Sequence, residues 1–147
     1  MKLVFFDNFV PGVLREGEVV DISSVLGDLK VEDAQQTLQN IIENFEQLKP
    51  GLDVALDKGK GKDLGTVRLR QPVPRPSKIL CMIGNYKEGV QRPIRPIDTF
   101  LKSPESIIGP DDTVILPKRE HPIFHHEAEL GIIIGKNSKN FSSVNYI

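Results

Sequence analysis

Cysteine is almost absent from this sequence: among 147 residues only Cys81 carries a thiol. One cysteine cannot close an internal disulfide, which excludes the cross-linked framework of a small secreted domain. Cys81 sits in the apolar run Ile79-Leu80-Cys81-Met82-Ile83, where it is expected as a small buried core residue rather than a reactive thiol. Long apolar stretches are missing as well. None approaches the roughly 20 residues that a membrane-spanning helix requires. The opening Met1-Lys2-Leu3-Val4-Phe5-Phe6 offers one positive charge and an apolar run too short for the core of a secretory signal. A cytoplasmic location without a membrane partner is expected. Neither sign of charge is in excess. Lys plus Arg number 19 and Asp plus Glu 20, a formal charge of -1, which leaves no electrostatic footprint for nucleic acid. No internal repeat is visible.

What is present is the composition of a folded globular chain, with 39% hydrophobic and 27% charged residues. Lys2 to Phe6 is β-prone, Pro11-Gly12 marks a turn, and Val19 to Ile22 reads as a second short strand. The period then changes. Ala34, Leu38, Ile41, Ile42, Phe45 and Leu48 recur every three or four residues, which predicts one amphipathic helix over Val31 to Leu48 with its stripe in a core. Asp33, with Gln36 three positions on, is placed to cap its start, and Pro50-Gly51 is expected to stop it. The Gly-Lys alternation at Lys58, Lys60 and Lys62 reads as a solvated turn. Pro72, Pro74 and Pro76 cannot sit inside a helix or a central strand. They mark a boundary between a small α/β N-terminal domain, residues 1–67, and a second unit, residues 68–147. Buried strands are expected there at Lys78–Ile83, Val114–Leu116 and Glu129–Ile134. The predicted class is α+β, mostly β.

The densest chemical signal is His125-His126-Glu127-Ala128-Glu129-Leu130-Gly131-Ile132-Ile133-Ile134. On a strand, side chains alternate faces, so Glu127 and Glu129 are expected on one side with His125 beside them, facing a pocket. Adjacent histidines point to opposite faces, so His126 is expected away from the site. Two carboxylates about 7 Å apart on one face repel unless a cation or a proton lies between them. Oxygen ligands of this kind suit Mg²⁺ or Mn²⁺, with Ca²⁺ as a further alternative, better than zinc. The plain alternative is a Glu-x-Glu pair on a wet antiparallel strand.

Several segments, in order, resemble the fumarylacetoacetate hydrolase family. They are Arg70-Gln71-Pro72-Val73-Pro74, then Lys78-Ile79-Leu80-Cys81-Met82-Ile83-Gly84-Asn85-Tyr86, then Phe100-Leu101-Lys102-Ser103-Pro104. Ile107-Ile108-Gly109-Pro110, Val114-Ile115-Leu116-Pro117, Glu127-Ala128-Glu129-Leu130 and Ile134-Gly135-Lys136 follow. The resemblance covers about residues 68–147 and implies an incomplete mixed β-sheet fold of that family. It implies a Glu-x-Glu pair that binds Mg²⁺ or Mn²⁺ together with a later Asp. It implies a hydrolase, lyase or isomerase acting on a small 2-oxo or 3-oxo acid. C–C bond hydrolysis, decarboxylation or isomerisation would proceed through a metal-stabilised enolate. Lys102 lies at the family's Phe-x-Lys position and is expected to pair with a substrate carboxylate. Asn85, Tyr86 and His125 are expected beside the substrate, and a homodimer is expected of the full-length protein.

Two departures stand out. Many members carry a His base four residues after the Asn of the Asn-Tyr segment, where this sequence has Gly89. Glu88, adjacent, is the candidate for a substitute catalytic base, with a solvated loop carboxylate as the plain alternative. Without a base of near-neutral pKa, water activation is less secure than metal-driven isomerisation, decarboxylation or lyase chemistry. The third acidic ligand is expected beyond Ile147, so the chain is read as the first half of a longer enzyme. The alternative is a non-catalytic small-molecule-binding or assembly module that retains the fold.

Overall fold

Leu3, Val4, Phe5 and Phe6 are β-branched, aromatic or large apolar residues, and they form the strand β1 (Leu3–Phe6). A computed structural model describes residues 1–86, 93, 96–120 and 123–140. In it, β1 pairs antiparallel with β2 (Val10–Arg15), which pairs antiparallel with β3 (Glu18–Asp21). Two short strands, β4 (Gly61–Asp63) and β5 (Leu69–Arg70), complete a five-stranded sheet of order β4-β3-β2-β1-β5.

The turn expected at Pro11-Gly12 is displaced. Both residues lie inside β2, opposite Phe5 and Val4, and the reversal falls at residues 7–9, where Asp7 (φ 50°) and Phe9 (φ 56°) are left-handed. Proline is tolerated because the β2–β3 ladder begins only at Gly12, so the missing N–H falls at the ladder's end. The Pro11 carbonyl still accepts from Ile22 N at 3.1 Å. Glycine follows because a Cβ on Gly12 would stand 2.7 Å from Val19 Cγ2.

Three helices cover one face: α1 (Ser23–Leu26), α2 (Ala34–Glu43) and α3 (Phe45–Lys58). Asp33 Oδ1 accepts from Gln36 N at 2.8 Å, the expected cap. The single helix predicted for Val31–Leu48 is instead two, and Pro50-Gly51 does not end the second. The break comes at Asn44 (φ -110°, ψ 16°), whose Nδ2 donates to Asn40 O at 2.8 Å. Such local side-chain bonds compete with the helical ladder. Pro50 then lies within α3, where it costs about 3 kcal/mol. Leu48 and Leu52, buried on either side of it, offset that cost at about 1.5–3 kcal/mol each. Gly51 lets α1 approach: a Cβ there would meet Val25 Cγ1 at 2.8 Å. Val13, Val20, Ile22, Leu26, Ile41, Leu48 and Leu52 form the core.

The sheet continues through Arg70, past the expected division at 67/68, and the proline-rich stretch follows it. Arg75 N then donates to Gln35 Oε1 on α2 at 2.9 Å.

Beyond it, β6 (Ile79–Met82) and β7 (Thr99–Lys102) form an antiparallel pair with Leu80 opposite Leu101 and Cys81 opposite Phe100. The expectation of a buried strand at Lys78–Ile83 is corrected. Leu80 is 64% exposed and Cys81 half-buried, because a two-stranded pair buries a face only when another layer packs on it. The strands expected at Val114–Leu116 and Glu129–Ile134 are not formed. Ile115 (90%) and Ile132 (81%) are exposed, and among the described residues neither segment has a ladder partner. The class is α+β, as expected, and no described helix is long and apolar enough to cross a membrane.

Candidate metal-binding site

The site-bearing residues come from three stretches: the exit of β6, the end of β7, and residues 123–135. After β6 the chain turns at Gly84, whose φ of +61° suits a residue without a Cβ, and delivers Asn85 and Tyr86. The Tyr86 hydroxyl accepts from Leu130 N at 3.1 Å. This bond spans 44 positions of sequence and sets Tyr86 beside Glu129. At the end of β7, Lys102 Nζ stands 5.7 Å from the centroid of the Phe100 ring, its neighbour on the same strand face.

His125, Glu127 and Glu129 are all exposed. These three side chains lie open to solvent in the described residues, where a face directed into a pocket was expected. Among the described residues, Tyr86 reaches this segment at Leu130 and Ile42 at Gly135. Among the described residues, no three His, Cys, Asp or Glu side chains converge as a metal cluster. A cavity of about 400 Å³ lies elsewhere, lined by Met1, Lys2, Leu14, Glu16, Leu56 and Leu64 among others. Glu88 and Gly89 lie outside the described residues.

Neither Glu127 nor Glu129 has an ion-pair partner among the described residues. Two carboxylates this close in sequence, exposed and without a counter-charge, offer hard oxygen donors that fit a hard divalent cation. They supply only part of a six-coordinate shell.

A second connection was not legible in the sequence. Arg68 Nη2 and Asp112 Oδ1 pair at 2.5 Å, and Asp112 Oδ2 accepts from Gly109 N at 2.8 Å. The backbone bond from Gly109, then Arg68, holds the Asp112 carboxyl below its usual value. Arg68 is also bonded twice to Asp7: its N donates to the Asp7 side-chain Oδ1 at 3.0 Å, and Asp7 N donates to Arg68 O at 2.7 Å. The turn at residues 109–112 is thereby tied to the first sheet.

Residues 78–146 match the family described as fumarylacetoacetate (FAA) hydrolase C-terminal. The chain is 36% identical over 77 residues to a mitochondrial oxaloacetate tautomerase of Rattus norvegicus, covering 49% of this chain and 24% of the relative. It is 36% identical over 146 residues to the fumarylacetoacetate hydrolase domain-containing protein 2 homolog of Dictyostelium discoideum, covering 89% of this chain and 43% of the relative. Among solved structures, it resembles a maleylpyruvate hydrolase from Sphingobium sp. SYK-6 in complex with manganese(II) and pyruvate. The TM-score is 0.64 at 30% identity, over 79% of this chain and 42% of that chain. The matched stretch spans less than half the length of each of these relatives.

Proposed function

We propose that this chain, which belongs to the fumarylacetoacetate hydrolase family, carries part of the site of a divalent-metal enzyme acting on a small 2-oxo or 3-oxo acid. The observation that carries the reading is the Glu127-x-Glu129 pair: it lies within the family match, exposed and, among the described residues, without an ion-pair partner, next to Tyr86. In this reading Glu127 and Glu129 hold Mg²⁺ or Mn²⁺. A divalent ion there supplies a Lewis acid that favours the substrate's enolate. Lys102 pairs with a substrate carboxylate, as a compact charge on a flexible stem. Asn85, Tyr86 and His125 orient the substrate, and Glu88 moves the proton.

Support for oxo-acid chemistry comes from the relatives, one an oxaloacetate tautomerase and one a maleylpyruvate hydrolase with manganese and pyruvate bound. Isomerisation is favoured over hydrolysis here, because Gly89 brings no imidazole to activate water. The test is Mn²⁺ binding followed by water-proton relaxation, beside keto–enol exchange of oxaloacetate followed by ultraviolet absorbance. Combined Glu127→Gln and Glu129→Gln substitution is expected to abolish metal binding. Parent-like Mn²⁺ affinity in that variant would remove the reading.

A further inference from the structure

The segment that carries Glu127 and Glu129 has no strand partner among the described residues, so its position depends on contacts made by side chains. One such contact is directional. The Tyr86 hydroxyl, at the exit of β6, accepts from Leu130 N at 3.1 Å, within the ordinary range of an N–H···O bond. Leu130 N belongs to the peptide plane that begins at Glu129. A rigid peptide held at its N–H also fixes the Glu129 carbonyl and the Glu129 Cα in that plane. The Glu129 side chain departs from that same Cα. A second, steric contact lies further along, where a Cβ on Gly135 would meet Ile42 Cγ2 on α2 at 3.3 Å.

We infer that Tyr86 is a positioning residue for Glu129: its hydroxyl fixes the Glu129–Leu130 peptide and so sets where the carboxylate presents its oxygens to a divalent ion. This rests on the metal reading above. It gives Tyr86 a task distinct from touching substrate.

The experiment compares the 147-residue chain with Tyr86→Phe, which keeps the ring and deletes the hydroxyl. Three quantities are read: amide hydrogen exchange of Leu130 by NMR, the Mn²⁺ dissociation constant, and the electron paramagnetic resonance spectrum of bound Mn²⁺. Loss of one hydrogen bond of ordinary strength predicts about fivefold faster Leu130 exchange and an Mn²⁺ dissociation constant raised about fivefold. The spectrum of the bound ion should change too, which a purely structural tyrosine would not cause. Unchanged Leu130 exchange overturns the inference. So does parent-like Mn²⁺ affinity in Tyr86→Phe when the double Glu→Gln variant has lost binding. If the double Glu→Gln variant binds Mn²⁺ like the parent, the metal reading fails on its own account. Leu130 exchange then decides alone whether Tyr86 holds this segment.

Discussion

Leu52→Ala should cost far more than Leu101→Ala, although both remove the same three carbons. Leu52 is fully buried on α3 against Val13, Val20, Ile22, Leu26, Ile41 and Leu48. Three carbons at about 0.8 kcal/mol each give roughly 2.4 kcal/mol of lost transfer energy. A cavity that cannot fully collapse brings the total to about 3 kcal/mol. Leu101, 67% exposed on β7, has most of its surface in water already, so its truncation should stay within about 0.5 kcal/mol. Urea unfolding followed by far-ultraviolet circular dichroism, on both variants and the parent, separates the two. A loss of about 3 kcal/mol is a large share of the 5–15 kcal/mol typical of a domain, so the midpoint shift is measurable. Equal losses would show that the β6–β7 pair is packed in solution as tightly as the first sheet. That would refute the placement of the core in residues 1–58.

Three further outcomes are expected. Arg15 donates to Leu56 O, Asp57 O and Gly59 O, each at 3.1 Å, closing the C-terminal end of α3; Arg15→Lys keeps the charge but not the fork, and should cost about 1–2 kcal/mol in thermal or urea unfolding. The Asp112 carboxyl is depressed in the folded chain, so its contribution is complete above the ordinary aspartate value and is lost as pH falls through the lower, folded value. Gly109 amide exchange, corrected for its intrinsic pH dependence, should therefore lose protection only in acid, and Asp112→Asn should abolish that step. The 147-residue chain should bind Mn²⁺ more weakly than micromolar in titration calorimetry, because two carboxylates leave most of a six-coordinate shell to water; micromolar binding with robust oxaloacetate turnover would refute this.

The first half was legible wherever a local rule decides the outcome. The cap at Asp33 and the apolar stripe of Leu38, Ile41 and Leu48 follow from period and short-range hydrogen bonding, and the structure has them. The break at Asn44 was not legible, because Pro50 is the stronger local signal and the burial of Leu48 and Leu52 overrides it. Pro11-Gly12 misled for the same reason: their turn preference yields to pairing with β1 and to the tight approach of Val19. In the second half, apolar runs such as Ile132-Ile133-Ile134 read as buried strands. Burial is a property of the neighbouring layer, and the described residues do not bring one to them. The Glu-x-Glu pair was visible as a motif. The Tyr86–Leu130 bond that reaches it was not, since no local pattern encodes a contact across 44 positions.

The outer strands of the first sheet are poor templates for any further strand. β4 has three residues, two of them Lys62 and Asp63, and β5 has two residues before the chain enters the proline-rich stretch. Brevity, charge and proline are the devices by which natural sheets discourage edge-to-edge growth. The β6 strand, Ile79-Leu80-Cys81-Met82, is also short but carries neither charge nor proline. By that rule a strand arriving from elsewhere is expected to add to the β6 edge rather than to β4 or β5.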